Sequence, residues 1–207
     1  MKETFKKTRR LNQGMTYIEI IVVLSIFSIL TAISMYNYGA FQGKVDVKNL
    51  ANDIALKLVQ AQKDATGGKI PARIIAQNWK PAYGVVFNRD TAGLGDTAFL
   101  YFTDLDSNKS FDYNSFNGTD CTGVGECLEK INITKGNTIT KIESLGTGSC
   151  GEVRAMSATW SRPNLTPTLF TVPALACVIS AVKISVQSPK GNIGYITIYN
   201  SGRVQID

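Results

Sequence analysis

The stretch that decides the fold is RRLNQGMTYIEIIVVLSIFSILTAISM, residues 9–35. No formal charge occurs from Ile20 to Tyr36. With Met15–Ile18 added, the run is about 22 residues long, enough at a 1.5 Å rise per residue to cross about 30 Å of hydrocarbon. Lys2, Lys6, Lys7, Arg9 and Arg10 precede it against one acid, Glu3. A basic head before an apolar run stays on the cytoplasmic side. That head accounts for +4 of the chain's net +6 and leaves only +2 for the rest. The overall basicity is therefore a topology signal more than a nucleic-acid footprint. A cleavable secretory signal fits poorly, because the run is long and no clean small-x-small site ends it. An ordinary anchor fits the run and leaves Glu19 unexplained. A carboxylate in lipid is costly and tends to mark function.

QGMTYIEIIVVLSIFSILTAI, residues 13–33, resembles the N-terminal signature of type IV prepilins and type II secretion pseudopilins. The resemblance implies a leader ending at Gly14, cut on the cytoplasmic side by a prepilin peptidase, and methylation of the new terminus at Met15. Thr16 and Glu19 fall on the family's Thr and Glu positions. Glu19 would then pair with the terminal ammonium of a neighbouring subunit during filament assembly, each charge offsetting the other's burial. The implied partners are other pilin or pseudopilin subunits, the peptidase and a membrane assembly platform. Two positions depart from the family, Tyr36 in place of a Pro and Ser28 in place of a Gly, so a proline kink is not expected.

Beyond Gly43 the pattern turns amphipathic. Val47, Leu50, Ala51, Ile54, Leu58, Ala61 and Ala65 recur at three- and four-residue steps, which marks one helix face. No Pro occurs between residues 15 and 70, so one helix is expected from Met15 to about Asp64, with Gly67 as its C-cap. From Ile70 the chain reads as strands, at 70–76, 83–88, 98–103, 128–134, 138–143, 152–159, 168–172, 177–187, 193–200 and 203–207. The fold class is α+β: a long N-terminal helix packed by its second half against an antiparallel β-rich head. The expected division is a leader at 1–14, a membrane and filament-core helix at 15–36, an amphipathic helix at 37–66 and a head at 67–207. LVQAQKDA, YGVVF, YFTDLDSNKSFD and the closing GRV resemble the FimT and pseudopilin-H type of minor pilin, whose heads are two packed antiparallel sheets behind the helix. A major pilin is the competing assignment.

Composition removes several chemistries. The chain has no His, which excludes Ser-His-Asp and Cys-His catalysis and imidazole metal sites. Cys121, Cys127, Cys150 and Cys177 all follow the apolar run, and an even count there suits an oxidising compartment and two disulfides. Three pairings are open. The short C-x5-C spacing favours Cys121–Cys127, which leaves Cys150–Cys177, and four free thiols is the plain alternative. The expected location is the cytoplasmic membrane in a single pass, leader inside and head periplasmic or extracellular, and then a surface filament or pseudopilus.

Two runs suggest ligands. DLDSNKSFD places Asp104, Asp106, Asn108, Ser110 and Asp112 at alternate positions, the oxygen-ligand spacing of a calcium loop. Lys109 stands where such loops want Gly, Ser115 stands where a bidentate Glu belongs, and no helix follows. A solvated turn rich in Asx residues is therefore favoured over calcium, and no cofactor is expected. SGRVQID, at 201–207, resembles the Gly-Arg-x-Arg tail with which FimT-type proteins of competent bacteria contact DNA, but the second Arg is Gln205 here. Arg203, Lys190 and Lys183 remain a candidate patch, against the simpler reading of Arg203 as a turn residue. Trp79, Trp160, Tyr83, Tyr101, Tyr195 and Tyr199 read as core or sheet-face aromatics. The function expected is a structural pilin-like subunit with no catalysis of its own. The rivals are a DNA-capturing minor pilin of a competence filament and an enzyme tethered by a helix, for which no catalytic constellation speaks.

Overall fold

The computed structural model describes residues 14–71, 80–90, 94–113, 116, 121, 125–164 and 166–207. The leader before Gly14, most of the candidate strand at 70–76, and Trp79 and Ser115 lie outside them. Ile70 and Pro71, the described start of that candidate strand, are in no strand.

One helix, α1, runs Tyr17–Gly67. Among the described residues nine strands follow: β1 Ala82–Asn88, β2 Ala98–Thr103, β3 Cys127–Asn132, β4 Thr138–Gly148, β5 Ala155–Ser161, β6 Thr168–Val172, β7 Cys177–Gln187, β8 Ile193–Tyr199 and β9 Val204–Ile206. The chain divides into two compact units, one ending at Phe41 and one running Gln42–Asp207. In the first, α1 is exposed along its whole apolar run from Tyr17 to Tyr36. It is long and apolar enough to cross a membrane. A single-pass anchor is what such a segment suits.

In the second unit, every residue of the apolar stripe from Val47 to Ala65 is buried. The helix ends in a Schellman cap: Lys69 N–H donates to Asp64 O at 3.0 Å and Gly68 N–H to Ala65 O at 3.3 Å. That makes Gly67 the C-cap and puts Gly68 at φ +68°, the left-handed conformation that favours glycine.

The head is two antiparallel sheets. The first has five strands in the order β3-β2-β1-β5-β6, the second four in the order β4-β7-β8-β9. The helix stripe shares one core with both: Tyr83, Phe87, Phe99, Trp160, Val182, Ile184, Ile196 and Ile198 are all buried in it. Removing such surface from water supplies the main drive for this packing, about 25 cal/mol per Å² of apolar area.

β1 and β2 do not alternate between buried and exposed; both are buried on each face. A second cluster explains this. Phe111 and Leu94 lie with Val86, Leu100 and Phe102, and Tyr113, Phe116 and Cys121 pack against them. The chain after β2 thus folds back over the outer face of its own sheet, and that return carries the acidic run.

Candidate functional site

The first site is the helix start. Thr16 precedes the first helical residue, and both its N–H and its Oγ1 donate to Glu19 Oε2, at 3.0 and 2.9 Å. This is the glutamate half of a capping box, in which the residue three beyond the cap reaches back to the cap's N–H. TYIE carries that T-x-x-E spacing in plain view. Glu19 therefore has a local partner while keeping Oε1 for another. Gly14 and Met15 are exposed, and among the described residues, the chain neighbours aside, nothing stands within 4 Å of where a Cβ on Gly14 would be. Further along, Ser25, Ser28, Thr31 and Ser34 each donate to a carbonyl three or four residues back, at 2.8–3.0 Å. Each of these Ser and Thr hydroxyls is thus satisfied within the helix, as a segment in hydrocarbon requires.

The second site is the acidic loop after β2. It brings Asp104 and Asp106 together with Glu126, with one oxygen of each within 4.8 Å of the others. Asp112, expected beside them, does not join this group. Glu126 lies just before β3 and was not foreseen. Its position next to Cys127, which is bonded to Cys121, is the only sequence signal that could have placed it. Its two oxygens accept the N–H groups of Leu105 and Asp112, at 2.9 and 2.8 Å. Asp104 Oδ2 accepts the N–H of Lys109 at 2.9 Å. Asp106 accepts from the Asn108 N–H and amide, and Asn108 Oδ1 accepts from the Ser110 N–H at 2.7 Å. Lys109 sits at φ +64°, so it takes the left-handed conformation that Gly would supply at that point of a calcium loop. Burial pushes Asp104 up to about 6, against the Lys109 N–H that favours its charge. Burial likewise raises Glu126, against its two backbone donors. Asp104, Asp106 and Glu126 are the residues that could hold a cation. The hydrogen bonds they make are also those of a self-contained Asx turn latched by one glutamate.

The basic residues do not converge on one patch. Lys190 is in the β7–β8 turn and Arg203 in the β8–β9 turn. These are opposite ends of β8, about 20 Å apart at strand rise. Lys183 Nζ lies over the Tyr195 ring at 4.5 Å, and the Arg203 guanidinium over Tyr199 at 4.1 Å. Arg203 also donates to Gln205 Oε1 at 3.2 Å, so the residue replacing the second Arg holds the first in place. Tyr83, Tyr101 and Trp160 are buried, while Tyr195 and Tyr199 are half-buried on the second sheet.

The cysteines pair Cys121–Cys127 and Cys150–Cys177, with Cα atoms 5.1 Å apart in both. The first bond pins the layer over the five-stranded sheet. The second ties the segment after β4 to the start of β7.

No family model matches the chain, and no curated protein or solved structure matches it.

Proposed function

We propose that this chain is a structural subunit, a minor pilin or pseudopilin, of a type IV pilus or a type II secretion-like filament. It is cut after Gly14 by a prepilin peptidase, methylated at Met15 and assembled through its apolar helix with other such subunits on a membrane platform. The observation that carries the reading is the contact of Thr16 with Glu19 at the head of an otherwise apolar, exposed helix. The capping contact would serve any helix start, but a plain anchor does not need a carboxylate at the edge of hydrocarbon, whereas a helix that must leave lipid and dock beside a neighbour's terminus uses one. The two-sheet head behind the helix supports the minor-pilin subgroup. Retention of DNA by the head is not favoured, since Arg203 and Lys190 lie at opposite ends of a hairpin.

The test is intact mass and N-terminal sequencing of the protein from its native cells, with and without the peptidase. A product beginning at methylated Met15 only when the peptidase is present is expected. An uncut chain, or a cut near Gly39, overturns the proposal.

A further inference from the structure

A cavity of about 380 Å³ opens between α1 and the β8–β9 edge of the head. Val47, Ala51, Gly194 and Ile206 give it apolar walls, with Ile193, half-exposed, beside them. Lys44 and Lys48 also line it. They are one helical turn apart on the same face, where two like charges repel. Both are exposed, and neither enters an ion pair among the described residues. The acid between them, Asp46, is turned to Lys135 at 2.6 Å. The β7–β8 turn brings a third cation to this end: a Cβ on Gly43 would meet Asn192, Ser188 and, at 3.6 Å, the Cβ of Lys190. One carboxylate, Asp207, is on the lining, and its Oδ1 already accepts the Gln205 amide at 2.9 Å. The site therefore joins an apolar floor to a rim on which two lysines outnumber the one side-chain carboxylate.

We infer that this cavity binds an anionic phospholipid, with Lys44 and Lys48 receiving the phosphate and Val47, Ala51 and Ile206 receiving the upper acyl chain. Charge complementarity selects an anion, and the apolar floor selects one that carries a hydrocarbon tail. Supply is set by the chain itself. Seven uncharged residues lie between Tyr36, the last residue of the expected membrane segment, and Lys44. The span from Tyr36 to Lys44 is at most about 29 Å even fully extended, so the rim stays close to the bilayer that holds the anchor. The inference rests on the reading of that run as a membrane anchor.

The test uses the full chain in a neutral maltoside detergent, read by native mass spectrometry. It is titrated with dihexanoyl phosphatidylglycerol, dihexanoyl phosphatidylcholine or glycerol 1-phosphate. One phosphatidylglycerol per chain is expected, at least about tenfold preferred over the choline lipid. Lys44→Gln with Lys48→Gln is expected to weaken it roughly 10- to 30-fold. Lys63→Gln with Lys80→Gln, the same charge change elsewhere, is expected to leave it unchanged. Equal binding of both lipids, equal loss in both double variants, displacement by equimolar glycerol 1-phosphate, or pairing of two chains in place of lipid each overturns the site. Carbonate extraction of native membranes tests the anchor separately. A chain that stays in the pellet but takes no phosphatidylglycerol sinks the site alone, whereas a chain released by carbonate sinks the anchor and this inference with it.

Discussion

Glu126 holds Asp112 by its backbone: Oε2 accepts the Asp112 N–H at 2.8 Å, while Oε1 takes that of Leu105 from the other side of the acidic loop. One side chain, 4% exposed, closes an eight-residue return that carries Phe111 onto Phe102. Glu126→Ala leaves two N–H groups without their acceptor at about 1–3 kcal/mol each and frees Phe111 from its cover. Destabilisation of the head by roughly 2–4 kcal/mol is expected in chemical denaturation, with Glu126→Gln intermediate. A loss under about 0.5 kcal/mol for Glu126→Ala would show that the loop is held by other contacts.

The carboxylates of the head set opposite pH dependences. Burial pushes Asp104 up to about 6 from an ordinary 3.8. A raised acid binds more protons in the folded state, so its contribution is present below the unfolded value and is lost as pH rises from about 4 through 6. Asp64 runs the other way. Burial raises it, but the Lys69 ammonium and the Tyr101 hydroxyl more than offset that and hold it below 3.8. Its contribution is present above the unfolded value and is lost as pH falls through the lower folded one. Unfolding followed from pH 3 to 8 is expected to show a maximum near pH 4. Asp104→Asn is expected to flatten the decline above it, and Asp64→Asn the decline below.

The same loop gives a prediction about metal. Its carboxylates are already met by the N–H groups of Leu105, Lys109, Asn108 and Asp112. Calcium would have to share carboxylates that these bonds already orient and partly satisfy. The melting temperature is therefore expected to be the same in EGTA and in millimolar calcium. A calcium-dependent rise that disappears in Asp106→Asn would make Asp104, Asp106 and Glu126 a cation site.

Much of this fold was legible because periodicity reports burial directly. The seven stripe residues from Val47 to Ala65 are the face that packs, and VKISVQ and GYITIY are the buried centre of the second sheet. The helix ends differ from expectation by only two or three residues, as frayed ends do. What stayed hidden was set by contacts distant in sequence. The strand expected at 138–143 continues through Ser144–Gly148, paired along Val182–Cys177. Glu152 and Val153 read as the start of a strand that begins only at Ala155, and Glu152 makes no more than an isolated bridge to Glu143. Glu126 reaches the acidic loop only because β3 pairs with β2, a relation across more than twenty residues that no local spacing announces.

Gly84 is where β1 passes beneath Phe102. A Cβ there would stand 2.6 Å from the Phe102 ring and 2.7 Å from the Ala158 carbonyl oxygen. The ring belongs to the second cluster and the oxygen to the neighbouring strand, so neither has room to retreat. Gly84→Ala is expected to cost roughly 2–4 kcal/mol through overpacking, despite the better strand propensity of alanine. Equilibrium denaturation of the variant tests this, and a neutral result would mean that the two sheet layers slide apart more easily than their packing implies.

The two disulfides close loops of different size, with sequence separations of 6 and 27. Chain entropy alone ranks them: a closed loop of about 27 residues stabilises by about 3–4 kcal/mol and one of about 6 by about 2. Packing adds to the smaller. Cys127 is 1% exposed within the layer that covers the first sheet, and Cys121 packs against that layer. Cys150 and Cys177 are only half-buried, at the far end of the β4–β7 ladder. Replacing Cys150 and Cys177 by Ser is therefore expected to lower stability by about the entropic amount and to leave the second-layer aromatics in place. Replacing Cys121 and Cys127 is expected to cost more than the entropic 2 kcal/mol and to loosen Phe111 and Tyr113, visible as a loss of near-ultraviolet circular dichroism. If both pairs followed loop length alone, the layer over the five-stranded sheet would be held by Glu126 and the aromatic contacts without help from its disulfide.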